Sequence, residues 1–210
     1  NGFPPEVFAG YTHNEGLLAD ELYIGWRQPR LRGEPYYTLV EELVSAVRER
    51  FPRALLQWED FKKANAFTLL DRYRERVPSF NDDIQGTAAV ALAGVMAACR
   101  AKGAPLAAER VVILGAGAAG IGIARQLRDA LKRAGLSGTE LRRAIALVDS
   151  QGLLVEGRGT REAHKAEFAW PRELAAAAGI APDSSSDLAL IVEKLGASVL
   201  IGTSGQPGAF

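Results

Sequence analysis

The chain has 210 residues, of which 48% are hydrophobic and 24% are charged. These proportions are typical of a folded globular protein that can bury a sizeable core in one large domain or two small ones. Lys plus Arg number 25 and Asp plus Glu number 25, so the charge balance favours neither nucleic acid nor a membrane surface. No segment has the roughly 18 continuous apolar residues that a membrane span needs. We therefore expect no nucleic-acid partner and no membrane partner.

The single cysteine, Cys99, lies in an apolar run and cannot form an internal disulfide. A lone buried thiol fits a reducing compartment, so we expect a cytoplasmic protein, with the mitochondrial or plastid matrix as alternatives. The chain starts at Asn1 and has no signal-peptide pattern. We expect it to be a portion of a longer protein.

Helices and strands alternate along the chain after an irregular start over residues 1–16. From Tyr36 apolar residues recur at helical spacing, with Pro35 suited to the start and Pro52 to the stop. Similar patterns predict helices over 36–51, 61–76, 87–99, 118–134 and 183–195, and strands over 54–58, 111–114, 144–148 and 198–201. Asp183 or a following serine is expected to cap the last helix. The helix over 87–99 is so apolar that we expect its neighbours to cover it closely.

A glycine-rich loop follows the strand over 111–114 and opens the next helix. Its strand–loop–helix context is that of a dinucleotide fingerprint, in which the glycines permit a tight turn, close approach of the pyrophosphate and close helix–strand packing. The alternative, an ordinary strand-to-helix turn, is less favoured because an acid ends the next strand. The predicted cofactor-binding residues of the loop are Gly115, Ala116, Gly117, Ala118, Ala119 and Gly120.

The acid at the end of the second strand is Asp149. A carboxylate there normally binds the ribose hydroxyls and repels the extra phosphate of NADP. Ser150 follows it, and Arg158 and Lys165 lie downstream, so a site for a 2′-phosphate is also feasible. The pattern by itself leaves NAD and NADP open.

Two acidic pairs lie upstream of the loop, each at the end of an apolar segment. They are Glu59-Asp60 and Asp82-Asp83, and aromatic residues flank both. Carboxylates that are desolvated side by side repel one another unless a cation lies between them, and Mg²⁺ and Mn²⁺ prefer such oxygen ligands. The alternative is that these acids are solvated or cap helices. We prefer a divalent-metal site.

These elements predict an α/β fold, with a Rossmann-like doubly wound parallel sheet preceded by part of a metal- and substrate-binding α/β domain. We place the first domain at residues 1–82 and the NAD(P)-binding domain at residues 83–210. Only three parallel strands are recognisable in the second domain, where a complete doubly wound sheet has about six. We therefore expect the sheet to be truncated at the C-terminus.

Several strings of the sequence resemble the malic enzymes. They are Gln57-Trp58-Glu59-Asp60-Phe61, Asn65-Ala66-Phe67, Phe80-Asn81-Asp82-Asp83-Ile84-Gln85-Gly86-Thr87, Val148-Asp149-Ser150-Gln151-Gly152-Leu153, and Ile201 to Phe210. The resemblance runs from about Asn14 to Phe210, and it implies oxidative decarboxylation of L-malate to pyruvate and CO₂ with a nicotinamide cofactor and Mg²⁺ or Mn²⁺. By position it implies that Glu59, Asp60 and Asp83 bind the metal, and we assign the neighbouring Asp82 to catalysis.

The resemblance also has implications for the choice of cofactor and for which catalytic residues the chain contains. Ser150 and Lys165 fall where NADP-selective members carry a serine and a lysine, so NADP is the preferred cofactor and NAD the alternative. The family's catalytic tyrosine and lysine belong to a region before this chain, so we expect the fragment alone to be inactive and its parent to be a homo-oligomer, a dimer or tetramer. Two other hypotheses for the function remain beside that of a malic enzyme. The second is a non-catalytic dinucleotide-binding module, and the third is another dehydrogenase, which would need no metal.

Overall fold

Two sheets form the framework of the chain: a small parallel pair of strands and a larger sheet of four strands. The computed structural model describes residues 14–25, 27, 30–61, 63–158, 162–180 and 187–208. Part of the predicted irregular start, residues 1–13, lies outside this range. Asn14 caps a short helix, α1 (Glu15–Ala19), by accepting a hydrogen bond from the Leu17 N–H.

The first half of the chain builds the small sheet and its helices. In chain order its elements are α2 (Glu34–Arg50), β1 (Leu56–Trp58), α3 (Lys63–Tyr73) and β2 (Ser79–Asn81). β1 and β2 are parallel, with Trp58 opposite Asn81. Tyr73 and Trp58 stack in the core beneath α2. The predicted helices and strand are confirmed with shifted ends, whereas β2 has three residues and was not predicted.

The second half builds the larger sheet. A π-helical turn over Asp82–Gly86 leads into its elements, which are α4 (Thr87–Lys102), β3 (Val111–Leu114), α5 (Ala118–Arg133), α6 (Gly138–Ala144), β4 (Ile145–Asp149), β5 (Gly152–Leu153), α7 (Ala163–Ala166), α8 (Arg172–Ala177), α9 (Leu188–Leu195) and β6 (Val199–Gly202). The strand order is β5-β4-β3-β6. β3 pairs in parallel with β4 and with β6, as predicted, while the short β5 adds an antiparallel edge.

The last helix starts later than the sequence predicted. α9 begins at Leu188, and the Asp187 side chain caps it by accepting hydrogen bonds from the N–H groups of Ala189 and Leu190. The predicted cap, Asp183 or a following serine, is therefore wrong. Residues 181–186 lie outside the described part of the chain.

Helix α4 is less covered than its composition suggests. Ala88, Val95 and Cys99 are buried on one face, but Val90 is 76% exposed and Met96 is 41% exposed. Among the described residues nothing covers that second face, so the expectation that neighbouring elements cover the helix closely holds for one face and is wrong for the other. The helical stretch Asp82–Lys102 is long and apolar enough to cross a membrane by length and composition, which is weak evidence because core helices of soluble proteins pass the same test.

One hydrophobic cluster contains residues of both halves. Ala66, Phe67 and Leu70 of α3 pack in the same buried cluster as Ile121 and Ile123 of α5. Helix α5 therefore contacts both halves, and the turn over Asp82–Gly86 packs against this helix.

Candidate metal and dinucleotide site

The acidic turn, residues Asp82–Gly86, is held in shape by the residue that precedes it. The Asn81 side-chain oxygen accepts a hydrogen bond from the Ile84 N–H at 2.8 Å, and the Asn81 N–H donates to the Gln85 side chain at 3.0 Å. The Thr87 N–H closes the turn on the Asp82 carbonyl. Since Asn81 is fully buried at the end of β2, the turn projects Asp82 and Asp83 from a fixed point at the carboxyl end of that strand.

The parallel register of β1 and β2 brings the two acidic pairs to one edge. Trp58 pairs with Asn81, so the residues that follow each strand emerge side by side. Carboxylate oxygens of Glu59, Asp60 and Asp83 all lie within 4.8 Å of one another. Asp60 has a φ of 56°, and it is the one described non-glycine residue with a positive φ. Such backbone strain is concentrated at functional sites.

Among the described side chains, the carboxylates of this group carry like charges that repel one another. Burial raises the pKa of the Glu59 carboxyl, and the Asp82 carboxyl beside it raises it further. Burial also raises the pKa of Asp83, and the negative charge of Asp60 adds to the rise. A divalent cation between the oxygens would remove this repulsion, and oxygen donors at this spacing suit Mg²⁺ or Mn²⁺. The predicted ligands therefore fit the metal that the sequence implied.

Asp82 lies beside this group rather than in it. Its carboxyl is within hydrogen-bonding reach of Glu59. Its Oδ1 also lies over Gly86, where an added Cβ would be 1.9 Å away. Gly86 thus leaves room for Asp82 to fold back over the turn. The catalytic role of Asp82 stays a prediction.

The glycine loop has the geometry that a dinucleotide needs. Gly115 has a φ of 116°, and a Cβ on Gly120 would lie 1.8 Å from the Gly115 carbonyl oxygen, so both positions require glycine. A Cβ on Gly117 would meet nothing within 4 Å, which leaves its backbone open to a ligand. No described side chain caps the N-terminus of α5 at Gly117. Its free N–H groups can therefore bind a pyrophosphate. Ala116 is buried, and Ala118 and Ala119 begin the helix half-buried.

Asp149, at the end of β4, is already engaged by two cations. Arg158 donates to its Oδ1, and Lys165 donates to its Oδ2 at 3.0 Å. Burial works against the ionised form, but hydrogen bonds from the Gln151 N–H, Lys165 and Arg158 outweigh it and lower the pKa of Asp149. The carboxylate therefore stays negative at the strand end.

The comparisons with known proteins decide the family. A model described as "Malic enzyme, NAD binding domain" matches residues 84–210, and one described as "Malic enzyme, N-terminal domain" matches residues 5–74. The chain belongs to the malic enzyme family. The NAD-dependent malic enzymes of Erwinia tasmaniensis and Pseudomonas syringae pathovar tomato are 45% and 43% identical to it over 206 residues, which cover 98% of this chain and 36% and 37% of those proteins. The chain thus spans about a third of the length of these curated relatives.

Solved malic enzymes share the fold. The malic enzyme of Entamoeba histolytica superposes with a TM-score of 0.59 at 29% identity, covering 80% of this chain and 32% of that one. The NAD-dependent malic enzyme of Thermotoga maritima gives 0.61 at 27% identity, covering 84% of this chain and 42% of that one. The Rossmann-like fold predicted from the sequence is therefore confirmed.

Two contacts that support this malic enzyme site were not predicted from the sequence. Thr203, just after β6, donates its hydroxyl to the Gly115 carbonyl at 2.9 Å and so braces the glycine loop. Arg158 donates to the carbonyls of Gly152 and Leu153 as well as to Asp149, and so fixes the turn after β4. The sequence suggested Arg158 only as a possible contact for a 2′-phosphate, and Thr203 only as part of a string that resembles the family. A sequence pattern does not show which backbone carbonyls a side chain reaches.

The side chain of His164 is partly buried. Its ring stacks on Phe67 of α3 with centroids 4.3 Å apart, and its side chain is 17% exposed. It thereby ties α7, which carries Lys165, to the first half of the malic enzyme chain. His13, the other histidine of the sequence, lies outside the described residues.

Proposed function

We propose that the natural protein containing this chain catalyses the oxidative decarboxylation of L-malate to pyruvate and CO₂ with NAD and a divalent metal ion. The observation that carries the proposal is the cluster of the three carboxylates of Glu59, Asp60 and Asp83, in which Asp83 lies on a turn that packs against α5. A metal site whose turn packs against α5, together with a dinucleotide loop that opens the same helix, suits the oxidation of a hydroxy acid. The names of the relatives support the same reaction.

Different residues of the chain would bind the metal ion and the cofactor. Glu59, Asp60 and Asp83 would hold the cation. Gly117 and the N-terminus of α5 would hold the cofactor pyrophosphate. When bound, the cation would supply positive charge for the malate oxygen that becomes negative, and the nicotinamide would accept the hydride.

The cofactor proposed here is NAD, in place of the NADP preferred from the sequence. The relatives named above are NAD-dependent. The side-chain contacts also favour NAD. The Lys165 ammonium donates a hydrogen bond to Asp149, and its Nζ lies 3.7 Å from a carboxylate oxygen of Glu162. These two carboxylates largely neutralise its charge. A 2′-phosphate would have to compete with Asp149 for both cations and would meet a carboxylate at the ribose. Ser150 is exposed beside this group and adds no charge.

The proposal concerns the parent protein rather than this portion alone. The family resemblance assigns the general acid and base to a tyrosine and a lysine outside the 210 residues, and each such group contributes typically 10²- to 10⁴-fold to rate. We therefore propose that the isolated chain is inactive. A homo-oligomeric parent, a cytoplasmic location and the domain boundary at residue 82 stay predictions.

The test is malate-dependent reduction of NAD⁺ and NADP⁺ by the natural polypeptide that contains this sequence, with Mn²⁺ and with pyruvate measured as the product. We expect turnover that favours NAD⁺ and that Asp83→Asn lowers by about 10²-fold or more, since the metal contributes several kcal/mol of charge stabilisation. Asp71→Asn, at an exposed site on α3, is the matched control and should keep full activity. NADH binding without any malate turnover would instead favour the non-catalytic dinucleotide-binding module.

A further inference from the structure

Gly122 lies beyond the dinucleotide fingerprint, yet it is as constrained as the glycines within it. It is buried on α5, and an added Cβ would lie 2.0 Å from the carbonyl oxygen of Ile84 and 2.8 Å from its carbonyl carbon. Ile84 is the central residue of the acidic turn and is 2% exposed. The pyrophosphate loop does not explain this contact, because Gly115, Gly117 and Gly120 already supply its tight turn, open backbone and close packing.

A second contact joins the same two elements one helical turn further on. Gln126 of α5 donates its side-chain N–H to the Gln85 carbonyl at 3.1 Å. Gln85 follows Ile84, so α5 holds two successive peptide groups of the acidic turn, one by close packing and one by a hydrogen bond. Asn81 holds the same turn from the other side by accepting from the Ile84 N–H.

From this geometry we infer that Gly122 and Gln126 are positioning residues for the divalent metal. They fix the height of the acidic turn above α5 and thereby place the Asp83 carboxylate opposite Glu59 and Asp60. The inference rests on the proposed metal site. It adds that the helix whose N-terminus binds the dinucleotide also sets the metal affinity, through residues that contact neither ligand.

Substitution at Gly122 should displace the turn by a definite amount. A Cβ built on Gly122 would lie 2.0 Å from the Ile84 carbonyl oxygen, whereas a real Cβ keeps at least 3.0 Å from such an atom. In Gly122→Ala the distance between α5 and the Ile84 carbonyl must therefore increase by about 1.0 Å. A shift of this size moves Asp83, one residue earlier, out of register with its partner carboxylates. Misplacement by about 1 Å can reduce the effect of a positioned group by about 10²-fold.

Two further variants complete the set. Gln126→Leu keeps the side-chain bulk on α5 but removes the hydrogen bond to Gln85, without forcing any backbone to move. Gly94→Ala is the matched control: it places the same methyl group on a helix, α4, at a position where nothing lies within 4 Å. Asp83→Asn tests the metal site itself.

The experiment is a titration of Mn²⁺ followed by electron paramagnetic resonance, on the natural polypeptide that contains this sequence, with NADH binding followed by fluorescence. We expect Gly122→Ala to weaken Mn²⁺ binding by about tenfold or more, and Gln126→Leu by about 3- to 10-fold, the value of one hydrogen bond. NADH binding should change less than twofold, and Gly94→Ala should change neither. In turnover assays the KM for Mn²⁺ should rise while the KM for NAD⁺ stays constant.

Two results would overturn the inference while leaving the metal site intact. The first is Mn²⁺ binding that depends on Asp83 but is unchanged in Gly122→Ala and in Gln126→Leu. The second is an equal loss of Mn²⁺ and NADH binding in these variants, which would mean general damage to α5. If Gly122→Ala does not fold, Gln126→Leu alone decides. Mn²⁺ binding that survives Asp83→Asn unchanged would instead show that the proposed metal site is wrong, and the inference would fall with it.

Discussion

At the scale of single residues, Asp149 shows how one carboxylate can set cofactor choice. It accepts hydrogen bonds from Arg158 and Lys165, whose side chains are both 16% exposed. Under the proposed function the acid would have two roles: it would present negative charge to the ribose, and it neutralises the two cations that could otherwise bind a phosphate. Removing its charge should reverse both effects together.

We expect Asp149→Asn to shift the preference from NAD⁺ towards NADP⁺. Loss of the carboxylate weakens the hydrogen bonds to the ribose hydroxyls and frees Lys165 and Arg158 for a 2′-phosphate. The ratio of kcat/KM for NAD⁺ to that for NADP⁺, measured in the natural polypeptide, should fall by at least about tenfold, which corresponds to about 1.4 kcal/mol.

A double substitution is the control for this prediction. If the freed lysine causes the gain, Asp149→Asn combined with Lys165→Ala should lose the improvement with NADP⁺ but keep the loss with NAD⁺. An NADP⁺ gain that persists without Lys165 would mean that the cations are only structural.

At the scale of elements, the sequence predicts long elements well and short ones poorly. Helices α2 and α5 carry enough turns for their apolar residues to show a helical period, and β3 and β4 are continuous apolar runs. β2 and β5 have three and two residues, too few to show any period. They form because neighbouring strands offer hydrogen bonds, and a single sequence does not show which strands are neighbours.

The candidate site follows the same rule. Its residue types could be identified from the sequence, because paired acids and a glycine loop indicate their chemistry directly. The geometry that joins them could not, since it depends on the register of Trp58 with Asn81 and on the contact of Gly122 with Ile84. The π-helical turn could not be predicted from residue propensities either, because the contacts that hold it come from the buried Asn81 and from the neighbouring helix α5.

Helix α2 and the end of α3 are joined by one carboxylate. Glu41 accepts two hydrogen bonds from Arg76, at 2.6 and 2.9 Å, and one from the Tyr73 hydroxyl at 2.9 Å. The Arg76 bonds, followed by that of Tyr73, lower the pKa of Glu41 to about 2. Since its folded pKa lies below the ordinary value of 4.5, the stability that this group contributes is present above about pH 4.5 and is lost as the pH falls towards 2.

We therefore predict that Glu41→Gln lowers the Tm of the natural polypeptide at pH 7 by a few degrees. The difference from wild type should shrink steadily between about pH 5 and pH 2, because protonation removes the same charge from the wild-type protein. The side chain is 38% exposed, so solvent screens the pair and the effect should be modest. Glu75→Gln, at an exposed pair with Arg74, is the control and should show a much smaller difference. A Tm difference that is constant with pH would mean that the carboxylate charge is not involved.

At the scale of the whole molecule, the described part of the chain leaves two apolar or unpaired surfaces open. The exposed face of α4 carries Val90 and Met96 with small residues between them. β6 lies at the end of the four-stranded sheet, and no described strand pairs with its outer edge, where Leu200 is 44% exposed. Open strand edges and contiguous apolar faces favour association with other chains.

We expect the isolated 210-residue chain to self-associate through the face of α4. At roughly 100 µM, a contact of about −5.5 kcal/mol or stronger would be at least half-formed, so light scattering after size-exclusion chromatography should give the mass of two copies or more. Val90→Lys combined with Met96→Lys should lower that mass towards the monomer, because two ammonium groups would have to be desolvated in the contact. Leu55→Lys, which replaces a residue that is 64% exposed elsewhere on the surface, should leave the mass unchanged. A wild-type chain that stays monomeric at this concentration would contradict the prediction. If Leu55→Lys lowered the mass as much as the α4 substitutions do, net charge rather than the α4 face would control association.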